Sequence, residues 1–299
     1  MDAKKIDKVA TIIFYIIAIF IVTLLGAFIA YIFYKGIGML TPSFLFGNPK
    51  MTSVGGGIGP QIFNSLYMLV IALIITVPIG IGAGIYLAEY AKEGVVLKII
   101  RLSLETMSSL PSIVIGMFGL LVFVNLSGFG YSLIAGALSV SILNIPSMTR
   151  ISENAIRHAS KKVKEASLGL GATKWQTIMR VTLPTAMRDI LTGIILSSGR
   201  IFGEAAAFLY TAGLSSGTLN FNNVSLLGKT SAFSLFRPAE TLAVHIWKLN
   251  SEGIVPDASA IANGTAAVLI IIILIFNLLA KLIGNRMLGP VQGDHGTVQ

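Results

Sequence analysis

The chain has 299 residues, 54% hydrophobic and 12% charged, with a mean hydropathy of +0.83; a soluble domain carries roughly 25% charged residues, so composition excludes an ordinary soluble globule. There is no cysteine, which excludes disulfides and thiolate metal sites, and His158, His245 and His295 are too scattered to suggest a metal cluster. The net charge of +9 comes from basic residues between apolar runs, a pattern that suits orientation in a membrane rather than nucleic-acid binding.

A spanning helix needs about 20 mostly apolar residues, and six segments have that length: 10–34, 63–91, 98–124, 131–150, 189–213 and 260–283. The expected fold class is all-α, a polytopic membrane protein with six transmembrane helices. The first run exceeds a signal-peptide core of about 7–15 residues and has no convincing cleavage site, so it reads as retained. The expected organisation is an N-terminal helix with its loop (1–62), a five-helix core (63–283) and a tail (284–299).

With the N-terminus inside, 15 of the 22 Lys and Arg fall on the inner side. Five (Lys35, Lys50, Lys229, Arg237 and Lys248) fall outside, and Arg150 and Arg200 lie at or within the membrane. This bias predicts that both termini are cytoplasmic.

The loop at 35–62 is rich in Gly and Pro and reads as irregular. The inner loop at 151–188 is strongly basic; Lys161–Leu168 suits one helix, Gly169 and Gly171 allow a break, and Ala172–Val181 suits a second helix before Pro184. Trp175, Ile178, Met179 and Thr182 share one side of that second piece. In the outer loop 214–259, Leu242, His245, Ile246 and Leu249 share a face, which predicts a short amphipathic surface helix that Pro238 would start.

The stretch EASLGLGATKWQTIMRVTLP (165–184) resembles the EAA loop of bacterial ABC-importer permeases. It supplies Glu165, Ala166, Gly171, Leu183 and Pro184 at the pattern's spacing, with Ser167 for the second Ala and Val181 for the usual Ile. The stretches at 55–91, 104–116, 145–156 and 199–213 are similar to the PstA-type permeases of phosphate importers. The resemblance implies the type I ABC-importer permease fold, with Glu165, Ala166, Ser167, Gly171, Val181, Leu183 and Pro184 coupling to a separate ATPase present as two copies. It also implies a second, PstC-type permease subunit, a PstS-type phosphate-binding protein outside the bacterial inner membrane, and lipid around the helices. No cofactor is implied, and ATP hydrolysis would belong to the partner chain.

Charge inside a spanning helix costs about 2.5–3.5 kcal/mol on insertion scales, so it marks a functional position by default. Arg200 and Glu204, four residues apart, are placed to pair on one helix face. Gly199 and Gly203 give the small-xxx-small spacing of a close helix approach. Arg150 ends the fourth apolar segment, as a membrane anchor or as a second anion contact. In the resembled family, charges at the positions of Arg150, Arg200 and Glu204 are associated with phosphate passage; the expectation for this chain is that Arg200 and Arg150 contact the anion while Glu204 orients Arg200 and tunes its hold. Packing of a neutralised pair, a proton relay in an ATP-independent transporter, and passage of sulfate or molybdate instead of phosphate all remain compatible with these residues. NVSLLGKT (223–230) lacks the first glycine of a phosphate-binding loop, and GIGAG (80–84) reads as helix packing rather than a dinucleotide fingerprint.

Overall fold

A computed structural model describes residues 3–50, 53–217, 219–228, 231–252 and 255–288; the tail beyond Leu288 and Lys229 of the outer loop lie outside the described residues. The described elements are helical: α1 (Ala3–Gly36), α2 (Pro42–Phe46), α3 (Gly59–Ile85), α4 (Val95–Ser109), α5 (Ser112–Gly119), α6 (Leu133–Gly169), α7 (Lys174–Thr177), α8 (Leu183–Gly203), α9 (Ala206–Thr211), α10 (Leu242–Glu252) and α11 (Ala258–Leu288). One isolated bridge, between Asn220 and Ser231, is the only strand-like pairing among the described residues.

Of the six predicted segments, four are single helices long and apolar enough to cross a membrane: α1, α3, α6 and α11. The segment 98–124 is instead a pair, α4 and α5, bent by 97°. Its break falls at Leu110–Pro111, where Leu110 is extended (φ −66°, ψ 135°). Proline explains this, because its ring disfavours the helical region in the residue before it. The segment 189–213 is also interrupted: α8 stops at Gly203, Glu204 is extended, and α9 restarts at Ala206.

The centre of the fold is the pair α3 and α6, and small residues let them meet. A Cβ on Gly80 would lie 2.5 Å from Met148 Cγ, and one on Gly84 would lie 2.5 Å from Ser152 Cβ. GIGAG is thus a packing motif, as its sequence context suggests. Gly193 of α8 seats Ile151 in the same way, and Gly119 beyond the α4–α5 bend seats Ser139 and Thr211. Without a water-driven hydrophobic force between helices in lipid, such close approach is how they hold together. Met68, Leu69, Leu133, Val140, Ile201, Phe202 and Phe208 fill the resulting core.

Helix α6 runs unbroken for 37 residues from a Ser132 cap, past Pro146, to Gly169. Arg150 is therefore in mid-helix rather than at a helix end, and the predicted Lys161–Leu168 helix is the last part of α6. The α10 helix departs from expectation too: Leu242, Ala243, Val244, His245 and Leu249 are buried, so it packs into the fold instead of lying on the surface, and it starts at Leu242 rather than at Pro238. By contrast, no residue of the apolar window of α1 is buried; its end is seated on α11, with Gly36 against Asn263 and Ala267.

Candidate coupling and substrate-path sites

The loop between α6 and α8 is built from three local devices. Gly171 adopts φ +84°, a left-handed turn that side chains resist. Thr173 then starts α7 with a capping box, its hydroxyl accepting from the Gln176 amide while the Gln176 side chain accepts from the Thr173 amide. Finally, Ser167 and Thr177 hydroxyls meet at 2.9 Å and fasten the two arms together. The second piece is shorter than the predicted 172–181 helix: α7 gives way to a π turn, Ile178–Thr182, that runs directly into α8. Pro184 lies in the first turn of α8, where its missing N–H costs nothing, rather than after a helix end.

The expected apolar side of that piece divides in two. Ile178 and Thr182 are buried against the bundle, whereas Trp175 and Met179 are exposed. Leu168, Leu170 (90% exposed), Glu165 and Ala166 of the preceding arm are exposed as well.

Arg200 and Glu204 are not an ion pair. The helix stops between them, which removes the spacing that would bring them together. The Glu204 carboxylate is buried and accepts the Ala207 amide in the first turn of α9 at 3.0 Å. Arg200 stays in the last turn of α8, exposed, where a cation suits the helix dipole. Added Cβ atoms at Gly199 and Gly203 would meet nothing within 4 Å. The small-residue face of α8 is therefore open in this chain, together with Thr192, Leu196 and Arg200. Arg150 lies within 3.7 Å of Glu105 on α4, both side chains largely solvent-facing. Since Ile151 abuts Gly193, and Arg200 is seven residues further along α8, the two arginines differ in depth by about 10 Å at ~1.5 Å per helical residue.

Two polar clusters were not singled out from the sequence. One sits where α3 begins and α10 packs on it. Glu240, 2% exposed, accepts from Gln61 Nε2 at 2.9 Å and pairs with His245 Nδ1 at 3.0 Å. Beside it, Arg237 donates to Ala232 O, Pro238 O and Asn64 Oδ1, and burial lowers its pKa to about 10. The other, at the end carrying the basic loop, joins Arg101 and Arg157 to Glu153, and Lys164 to Glu89. The i,i+4 spacing of Glu153 and Arg157 is a signal the sequence does carry; the long-range partners are not.

The described residues thus form a helical membrane bundle that presents, at one end, a turn between α6 and α7. Inward-facing structures of the MetNI methionine ABC transporter share the fold. One aligns with a TM-score of 0.56 at 16% identity, covering 77% of this chain and 94% of that one. A second crystal form aligns with a TM-score of 0.54.

Residues 80–289 match the family described as "Binding-protein-dependent transport system inner membrane component", and the chain belongs to that family. It is 50% identical over 287 residues to the probable ABC transporter permease protein YqgI of Bacillus subtilis (strain 168), covering 96% of this chain and 98% of that protein. It is 33% identical over 256 residues to the phosphate transport system permease protein PstA of Yersinia pestis, covering 83% and 80%. The chain is thus a membrane-spanning ABC-importer permease subunit.

Proposed function

We propose that this subunit carries inorganic phosphate into the cytoplasm, powered by a separate ATPase. The observation that carries the reading is the open face of α8, where Arg200 has no ion-pair partner among the described residues. An arginine facing hydrocarbon would cost about 2.5–3.5 kcal/mol, so this face belongs against a second permease subunit across a hydrated path. Guanidinium offers two parallel donors to a tetrahedral oxyanion and remains charged. Arg150, deeper along the bundle, provides the next contact, and its loose pairing with Glu105 suits a site that must release its anion. Glu204 acts by holding the α8–α9 break that leaves Arg200 at a helix end. The printed name of the Yersinia pestis relative supports phosphate as the substrate.

Two ATPase copies would act through Glu165, Ala166, Ser167, Gly171, Val181, Leu183 and Pro184, with exposed Leu168, Leu170, Trp175 and Met179 as the seat. A PstC-type second permease and an external PstS-type phosphate-binding protein complete the importer. Both termini then face the cytoplasm, and the two permease halves alternate between outward- and inward-facing states. Uptake by the reconstituted complex tests the reading: phosphate import should require ATP and resist excess sulfate or molybdate. Equal competition by those anions would reassign the substrate, and uptake without ATP by this chain alone would make it a secondary transporter.

A further inference from the structure

Three cations converge on the π turn Tyr86–Tyr90 that continues α3 to its end. Arg157 donates from Nη2 to Leu87 O at 3.0 Å. Lys164 Nζ lies 2.7 Å from the Glu89 carboxylate, whose side chain is 2% exposed. Lys174 donates to the Glu89 carbonyl and lies over the Tyr90 ring, 4.4 Å from its centroid. Lys164 belongs to α6 and Lys174 to α7, so the two lysines come from opposite arms of the turn at Gly169–Ala172.

α6 and α8 are covalently continuous with that loop, whereas α3 is reached from it only through side-chain contacts. Charge-assisted bonds to a carboxylate shielded from water are the strongest such contacts, and losing one partner leaves the other buried and uncompensated. They also complement the negative end of the α3 dipole. The Gly84–Ser152 contact joins α3 to α6; the clamp adds the α7 arm, through Lys174.

We infer that Glu89 is a positioning residue for energy coupling: by gripping Lys164 and Lys174 it makes the end of α3 move with the ATPase-docking loop. The inference rests on the reading of 165–184 as that docking loop. Glu89 touches neither nucleotide nor transported anion; its effect is on how much transport each hydrolysis event drives.

The test uses the full complex of this chain with its ATPase in proteoliposomes, measuring phosphate imported per ATP hydrolysed for Glu89→Gln, Lys164→Met and Lys174→Met. The expected result is a fall in that ratio of at least about fivefold for Glu89→Gln and Lys164→Met, the low end of coupling between distinct sites. The double variant should be no worse than either single one, and the exchange Glu89→Lys with Lys164→Glu should recover part of the loss, which a purely structural role would not predict. Lys164→Met, at a partly exposed position, and Lys174→Met, at an exposed one, carry the test if Glu89→Gln does not assemble, and each should lower the same ratio. An unchanged ratio with the ATPase still bound overturns the inference alone. Failure of the unsubstituted chain to retain an ATPase overturns the docking reading, and the inference with it.

Discussion

The Glu204 carboxylate accepts the amide of Ala207 and so turns away from Arg200, the cation four residues before it. One charge holds the backbone and the other is left for a partner. The two side chains should therefore respond differently to substitution.

Arg200→Gln should reduce ATP-driven phosphate uptake roughly 10- to 100-fold, as expected for loss of a charged hydrogen bond worth about 1.5–3 kcal/mol. Arg200→Lys should fall between that variant and the unsubstituted chain, because a lysine keeps the charge but not the two-pronged geometry. Initial-rate uptake with matched complex assembly measures this.

Glu204→Gln retains an oxygen that can accept from Ala207, whereas Glu204→Leu does not. The leucine variant should lose about 1–3 kcal/mol, the cost of leaving a buried donor unpaired, and the glutamine variant much less. Thermal unfolding of the complex in detergent separates them; equal losses would return Glu204 to a purely electrostatic role.

Gly171→Val forces a β-branched side chain to φ +84°, a conformation that costs roughly 1–2 kcal/mol per residue. The α7 arm should misalign and co-purification of the ATPase should fall. Gly169→Ala is the control, with no atoms within 4 Å of the added carbon and no positive φ.

Gly84→Leu drives a side chain into Ser152 and Glu153 of α6 and should lower stability by about 1–3 kcal/mol, the range for overpacking. Gly82→Leu, into open space, should be close to neutral. The contrast in melting temperature reads the α3–α6 seam directly.

Arg237→Lys should destabilise by about 1–3 kcal/mol, because an ammonium cannot reach the three acceptors that the guanidinium serves. Burial lowers the Arg237 pKa from its ordinary value to about 10. Between those values the unfolded chain holds more protons, so this group makes stability rise with pH only there. Melting between pH 7 and 9 should consequently be insensitive to Arg237 titration.

The turn of the basic loop was legible in the sequence because its cue is local: glycine permits the break, whereas the equally local Thr173–Gln176 cap was not singled out. Glu89, Glu153 and Glu240 were not singled out because their meaning depends on partners: Lys164 is 75 positions from Glu89, and Gln61 is 179 from Glu240. The Arg200–Glu204 pair was misjudged for the opposite reason. Four-residue spacing implies a shared face only while the helix continues, and here it stops at Gly203.

By itself the sequence determined that this chain lies in a membrane as helices, since runs of about 20 apolar residues can satisfy their backbone in lipid only by bonding within themselves. It also determined the turn of the basic loop. Tertiary structure alone decided which glycines are seams and which carboxylates meet distant cations. Those outcomes depend on what packs opposite each residue: Gly84 meets Ser152 and is a seam, whereas Gly199 meets nothing in this chain and is an open face.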